Sequence, residues 1–323
     1  SLYTLNSFKG EFGYSFKENQ FKEHIFNPIS VNYVQPKIAR NVVEQDLYDS
    51  IPGLRYTLQK QLIIGSNYNF TYTDQMDESR RNNMYFNGSV ETGGNVWGLF
   101  TPKDGNGQRS LFNVPLNQFV RLEADFRDYY KINRAVTWAN RLNLGYGYAY
   151  GSSTSLPFVR QFFAGGSNDI RAFKARSLGP GTYKVADSIR FADQGGDIKL
   201  MLNTELRFKI VSVLYGALFA DAGNVWLRKE DEGIPATATT PAVQGRPGSE
   251  FKLSNVLSEL AVGTGAGLRV DATIFVIRLD VAFPVRKPWL PNGERWVFDD
   301  IKFGSSSWRR DNLIYNIGIG YPF

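Results

Sequence analysis

The chain has 323 residues, no cysteine, one histidine and a formal net charge of +6. Its lysines and arginines are spread along the sequence, mostly beside acids, which argues against a nucleic-acid-binding surface. With His24 as its single histidine, the chain offers neither a zinc site nor a Cys/His dyad. No apolar run approaches the ~18 residues of a transmembrane helix, so helical membrane spans are excluded.

Polar and apolar residues alternate along most of the chain, which is the period expected of strands with one apolar face. In FVRLEADFRDYY, Val120 and Leu122 share one face, whereas Arg121 and Glu123 share the other. The alternation predicts eleven strands, near residues 7–18, 22–34, 59–74, 81–93, 117–130, 134–148, 197–210, 212–226, 258–270, 273–284 and 311–323.

The length of these strands favours a membrane barrel over a water-soluble sandwich, because strands of globular sheets usually have about five or six residues. Ten residues at ~3.3 Å each, tilted by about 40°, rise roughly 25 Å, the height of the apolar band on an outer-membrane barrel. Long connections rich in Gly, Pro and Asn alternate with tight turns, as external loops alternate with periplasmic turns in such barrels. The sequence therefore predicts an all-β, antiparallel transmembrane β-barrel.

The strand count has a consequence for domain organisation, because a closed barrel from one bacterial chain has an even number of strands. Either part of the barrel precedes residue 1, or one strand lies undetected in the loops. We expect residues 1–323 to form the C-terminal part of an outer-membrane barrel domain, with about 11 or 12 strands of about 16. Periplasmic domains are expected to be absent from this chain.

Four segments carry a resemblance to a known family: LPFVRQFFAGGSNDIRAFKARSLGPG at 156–181, LNTELRF at 202–208, LFADAGNVW at 218–226 and the C-terminal NIGIGYPF. Together, and in this order, they resemble the BamA/TamA superfamily of outer-membrane assembly and translocation barrels. The resemblance covers roughly residues 110–323 well. It implies that the first segment is a long loop that folds inward into the lumen.

The resemblance also implies which residues form the loop's lid motif. These are Gly165, Gly166, Ile170, Arg171, Ala172 and Phe173. Arg171 is implied to pair with Glu205 and Asp221 on the inner wall. Ala172 stands where the family has glycine, so the tip must adopt a backbone conformation that alanine tolerates.

The residue pattern supports the same pairing independently. Glu205 lies on the polar face of its strand, and Asp221 is the only charge in a strand of apolar and small residues. A lone carboxylate in a desolvated site needs a partner, and a planar guanidinium can satisfy two carboxylates. Glycines in GTGAG at 263–267 lie within an alternating strand with no following helix, which predicts a thinned barrel wall and not a phosphate cradle.

The C-terminal strand is expected to be the closing strand, with Gly318, Gly320, Tyr321 and Phe323 as its signal residues. Alternation places Tyr321 and Phe323 on the lipid-facing side and both glycines on the other. Glycine weakens strand pairing, so this seam could open for a client strand to add to the exposed edge. Alternatively, the two glycines make room for the long loop or bend the strand.

The expected function is to assist insertion, assembly or translocation of proteins in the bacterial outer membrane, without enzymatic chemistry or cofactors. Expected partners are unfolded outer-membrane clients, lipid and lipopolysaccharide, and periplasmic or lipoprotein accessory subunits. A passive pore or a two-partner secretion transporter would use the same barrel. An outer-membrane hydrolase is disfavoured, because no G-x-S-x-G elbow accompanies His24.

Overall fold

The computed structural model describes residues 3–38, 60–77, 79–103, 105, 109–111, 114–153, 155–185, 194–233, 245–272 and 274–323. One sheet of eleven antiparallel strands dominates them, and each strand pairs with the next one along the chain. The strands are β1 Tyr3–Asn19, β2 Lys22–Ile38, β3 Gln61–Thr73, β4 Asn82–Gly93, β5 Phe119–Asn133, β6 Val136–Ala149, β7 Ile198–Val211, β8 Leu214–Trp226, β9 Ala261–Asp271, β10 Val276–Arg286 and β11 Ile314–Ile319.

Each of the eleven predicted strands is present, in the predicted order and with antiparallel pairing. Short turns such as 134–135 and 212–213 alternate with long connections such as 150–197 and 227–260. The largest difference from prediction lies at the C-terminal end. There, a helix precedes the last strand, and β11 has only six residues.

The alternation of the sequence is reproduced as two distinct surfaces of the sheet. Apolar side chains such as Leu218 and Leu279 are exposed on the outer face, whereas Glu205, Asp221 and Asp280 are buried on the inner one. Outward apolar and inward polar side chains are the arrangement of a membrane barrel and the reverse of a soluble sandwich.

The remaining elements are short and lie in the connections. The helices are α1 Asn95–Phe100, α2 Val256–Glu259 and α3 Ser306–Asn312, with 3-10 turns at Phe158–Arg160, Leu253–Asn255 and Phe298–Asp300. Two-residue ladders join Ser110–Leu111 to Val114–Pro115 and Phe162–Phe163 to Gly195–Gly196. In the described part of the chain, no helix is long and apolar enough to span a membrane.

The largest buried apolar cluster lies inside the curved sheet. The connection between β6 and β7, residues 150–197, supplies one half of it and is called the lid loop below. The wall supplies the other half from β7, β8, β9 and β10. The members are Phe162, Ala164, Ile170, Ala172, Phe173 and Leu178 of the loop with Met201, Phe219, Val225, Ala261 and Ala282 of the wall. The predicted inward fold of this loop is therefore present.

Candidate functional site

The tip of the lid loop is a tight turn that depends on its paired glycines. Gly165 and Gly166 have φ values of 97° and 113°, a region that side chains rarely adopt. A Cβ atom at Gly165 would also lie 2.3 Å from the carbonyl oxygen of Lys174. The backbone N–H of Gly166 donates to the carbonyl of Phe173 at 2.9 Å, which closes the turn around Arg171.

Arg171 is fully buried, with 0% of its surface exposed, between two strands of the wall. Its Nε and Nη2 donate to the two carboxylate oxygens of Asp221 at 2.8 and 2.9 Å, and its Nη1 donates to Glu205. Its backbone N–H also donates to Asp221 at 3.1 Å. The guanidinium carbon lies 3.4 Å from the centre of the Phe219 ring, a cation–π contact. The structure thus places Arg171 against both carboxylates that the sequence paired with it.

Three further wall arginines extend this pair into a network that the sequence analysis missed. Glu205 also accepts from Arg207 at 2.8 Å and from Arg269 at 3.1 Å. Asp280 accepts from Arg269 and lies 3.4 Å from Nε of Arg278.

With Arg171 and Asp221, the network joins four guanidinium groups to three carboxylates. Alternation along β10 places Arg278 and Asp280 on the polar face, but the sequence does not show the curvature that brings β7 and β10 together.

A glycine in the wall accommodates the alanine that replaces the family's glycine at the tip. Arg176 and Ser212 are the only non-glycine residues with positive φ in the described ranges, so Ala172 has an ordinary backbone conformation. A Cβ atom at Gly263 of β9 would lie 2.2 Å from the Cβ of Ala172. A Cβ at Gly265 would meet the Phe219 ring at 2.6 Å. The glycine-rich stretch of β9 is therefore a thinned wall against which the tip packs.

The last strand contacts the lid loop directly. The side-chain amide of Asn316 donates to the carbonyl oxygen of Arg171 at 3.0 Å. Arg278 donates through Nη2 to Asn168 of the loop at 2.7 Å. Arg278 lies over Gly318, and a Cβ atom added at Gly318 would be only 2.8 Å from the same Nη2. This geometry favours the interpretation that Gly318 makes room for a neighbour of the loop.

The expectation that Phe323 continues the lipid-facing side of the last strand was wrong, whereas Tyr321 keeps 37% of its surface exposed. Gly320 has a φ of 86°, and regular pairing ends at Ile319, so the chain turns inward beyond this point. Phe323 is only 5% exposed, and its carbonyl oxygen accepts from Arg207 at 3.1 Å. The rings of Tyr321 and Phe323 lie 4.3 and 5.4 Å from the Arg207 guanidinium. The outward face of β11 is limited to Tyr315, Ile317 and Ile319.

The lid loop leaves part of the interior open. A cavity of about 470 Å³ lies between the loop tip and the wall, and charged side chains line it from both sides, including Arg121, Glu123, Asp169 and Lys199. Within the described ranges, no group of three or more His, Cys, Asp or Glu side chains could hold a metal ion. The arrangement is suited to holding a loop inside a polar interior.

Comparisons with known proteins agree with this architecture. The chain is 26% identical over 189 residues to the outer membrane protein assembly factor BamA of Neisseria meningitidis serogroup B, covering 53% of this chain and 23% of the relative. The crystal structure of BamA from Haemophilus ducreyi lacking POTRA domains 1–3 superimposes with a TM-score of 0.60 at 13% identity, over 98% of this chain and 55% of that one. CdiB from Escherichia coli gives a TM-score of 0.52 at 14% identity, over 89% of this chain and 43% of that one.

The chain thus spans about a quarter of the curated relative and about half of each solved structure. The model of the Omp85 superfamily domain matches residues 10–300. Because this match covers most of the sequence, the chain belongs to the Omp85 superfamily, which confirms the predicted outer-membrane location and transmembrane β-barrel fold.

Proposed function

We propose that this barrel assists the insertion, assembly or translocation of other proteins in the bacterial outer membrane, with the lid loop held in the lumen by Arg171. The observation that carries the proposal is the buried guanidinium bound by both Asp221 and Glu205. A barrel whose interior is occupied by its own loop is poorly suited to be a wide passive pore. The proposed activity breaks and forms no covalent bond and uses no cofactor.

Desolvated charges make the seated position of the loop well defined. Arg171, Glu205 and Asp221 are all buried, so withdrawing the loop would leave Asp221 and Arg171 without their charged partners, whereas Glu205 would keep Arg207 and Arg269. Removing one member of a buried ion pair typically costs about 3–5 kcal/mol. The seated loop is therefore stabilised by the wall, and releasing it would require new partners for Arg171 and Asp221.

The short last strand supports the proposed role of the seam. β11 pairs with β10 over six residue pairs, from Ile277–Ile319 to Ala282–Ile314. Among the described residues, its other edge has no partner strand. An unpaired edge can accept a strand from a client by β-augmentation. Gly318, Gly320, Tyr321 and Phe323 are proposed to set the length and end of this seam.

The proposed partners are unfolded outer-membrane proteins, the surrounding lipid and lipopolysaccharide, and periplasmic or lipoprotein accessory subunits. One relative supports the assembly branch by its name, and one solved structure supports the barrel fold. The Neisseria protein is named an assembly factor, and CdiB shares the fold. We also propose that periplasmic domains precede the barrel in the whole protein and deliver the clients.

Reconstitution of the whole protein into lipid vesicles tests the proposal. The rate at which an unfolded client barrel becomes folded, read from its heat-dependent gel migration, should rise in the presence of the protein. Arg171→Ala should abolish most of this increase, whereas Arg310→Ala, which removes an exposed arginine of α3, should not. An unchanged rate with Arg171→Ala would overturn the role of the lid. A large steady single-channel conductance of the parent protein would instead support the passive pore.

A further inference from the structure

The helix α1 has its large apolar side chains turned away from the protein. Val96, Trp97, Leu99 and Phe100 are exposed, and Leu99 is 80% exposed. The small residue Gly98 is the buried one. A short surface helix of a soluble protein shows the reverse arrangement, with large apolar residues facing the core.

Close contacts with the protein explain why only the small side of this helix faces inward. A Cβ atom at Gly98 would lie 2.2 Å from Nε2 of Gln118. Gly94 has a φ of 67°, and a Cβ atom there would lie 2.5 Å from the carbonyl oxygen of Asn117. The orientation is therefore fixed by two glycines, one against the backbone of Asn117 and one against the side chain of Gln118. The exposed apolar side is built into the fold.

This apolar side continues the outer wall of the barrel. Tyr148 follows the outward-facing line of β6, and its ring stacks on that of Tyr150 with the centres 6.2 Å apart. The hydroxyl of Tyr150 donates to the side chain of Asn95, the first residue of α1. Val90 of β4, just before the helix, is also exposed on the outer face. The helix thus adjoins an aromatic girdle at the end of the sheet that carries the long connections.

We propose that α1 lies in the bilayer interface, with Trp97, Leu99 and Phe100 inserted among the lipid chains at the long-loop end of the barrel. Residues 94–102 carry no charge, so no charged side chain has to enter the apolar part of the bilayer. Arg228, whose guanidinium lies 4.8 Å from the centre of the Tyr148 ring, places a cation at headgroup level. Tyr and Trp favour this zone because one part of each ring system is apolar and another can bond to water.

Lipid is the occupant that these observations select. The exposed side of α1 continues the lipid-facing wall, which the bilayer already covers. A protein partner on α1 would have to displace lipid from the adjoining wall. The inference concerns the membrane position of one loop and does not depend on the proposed handling of client proteins. Failure of one would leave the other standing.

Spin labelling tests the placement directly, because the chain contains no cysteine and each introduced cysteine is unique. Leu99→Cys is compared with Leu218→Cys, on the lipid-facing wall, and with Met76→Cys, in the turn between β3 and β4, where the side chain is 92% exposed. The three labelled proteins are placed in phospholipid nanodiscs. Accessibility to oxygen and to a water-soluble nickel chelate is then measured by power saturation.

The label at position 99 should resemble the wall label, with an oxygen-to-nickel accessibility ratio several-fold above that at position 76. A ratio equal to that at position 76 would place α1 in water and overturn the proposal. Spin–spin broadening that disappears on dilution with unlabelled protein would assign the surface to a second copy and also overturn it. Heat-dependent gel migration of each variant shows that the barrel is folded.

Discussion

The inner face of the barrel is built in two chemically different ways. In the first strands, uncharged amides form ladders, as between Asn27 and Asn67 at 2.8 Å and between Asn69 and Asn87 at 3.1 Å. In the last strands, the lid loop covers arginines and carboxylates. These amides bond to one another and to neighbouring polar side chains, as Asn67 does in donating to Glu11 at 3.0 Å. A charge buried away from water needs a partner of opposite charge. For Asp221, the lid loop supplies that partner as Arg171.

The largest expected loss of stability comes from substitutions in the charged network of the last strands. Arg171→Ala or Asp221→Ala should lower the free energy of unfolding by about 3–5 kcal/mol, because the first leaves Asp221 without its charged partner and the second leaves Glu205 as the carboxylate that still bonds to Arg171. Urea unfolding in detergent micelles measures the change, and heat-dependent gel migration reports loop seating.

Asn69→Ala is the matched control in the amide half. Net hydrogen-bond contributions are about 1 kcal/mol, so it should destabilise the barrel far less. Equal losses for Asp221→Ala and Asn69→Ala would contradict the distinction between the two halves.

A second test adds one methyl group to the wall beneath the loop. Gly263→Ala places a Cβ 2.2 Å from that of Ala172, so either the tip or the wall must shift. Such overpacking typically costs about 1–3 kcal/mol. Ala172→Gly should rescue the variant, because it removes the clashing methyl group. A double-mutant cycle of unfolding free energies measures this coupling, and strictly additive effects would show that the two residues do not touch.

A smaller effect is expected at the last strand. Gly318→Ala places a Cβ 2.8 Å from Nη2 of Arg278, whose flexible end can move at the expense of its bond to Asn168. The loss of that bond should cost about 1 kcal/mol and speed hydrogen exchange of the β11 amides. Gly304→Ala is the control, because a Cβ there meets no atom within 4 Å. Similar exchange rates in both variants would contradict the link between loop and strand.

The smallest effect is a pH dependence at the base of the lid loop. Burial raises the pKa of Asp197 above its usual value, although the backbone N–H groups of Arg228 and Leu156 oppose this. The folded state therefore holds this proton more tightly than the unfolded state does. The resulting stability is fully present below the ordinary aspartate pKa and is lost as pH rises through the raised value. Asp197→Asn should flatten this fall in urea midpoints measured across pH, and parallel curves would contradict it.

The number and order of the strands, and the face to which each side chain points, were predictable because they depend on local alternation. Whichever way the sheet curves, Leu218 and Asp221 must point to opposite faces of β8, and apolar residues must meet lipid. The inward turn of Phe323 was not predictable in the same way. It depends on the positive φ of Gly320 and on Arg207, which lies more than a hundred residues earlier in the sequence.

The sequence by itself determined an eleven-stranded antiparallel sheet with an apolar outer face, and its motifs singled out Arg171, Glu205 and Asp221. Only the tertiary structure decided that Arg269, Arg278 and Asp280 join them. Alternation assigns a side chain to a face, but not to a partner on a strand several positions away. Curvature of the sheet and the seating of the loop fix that distance, and both result from packing of the whole chain.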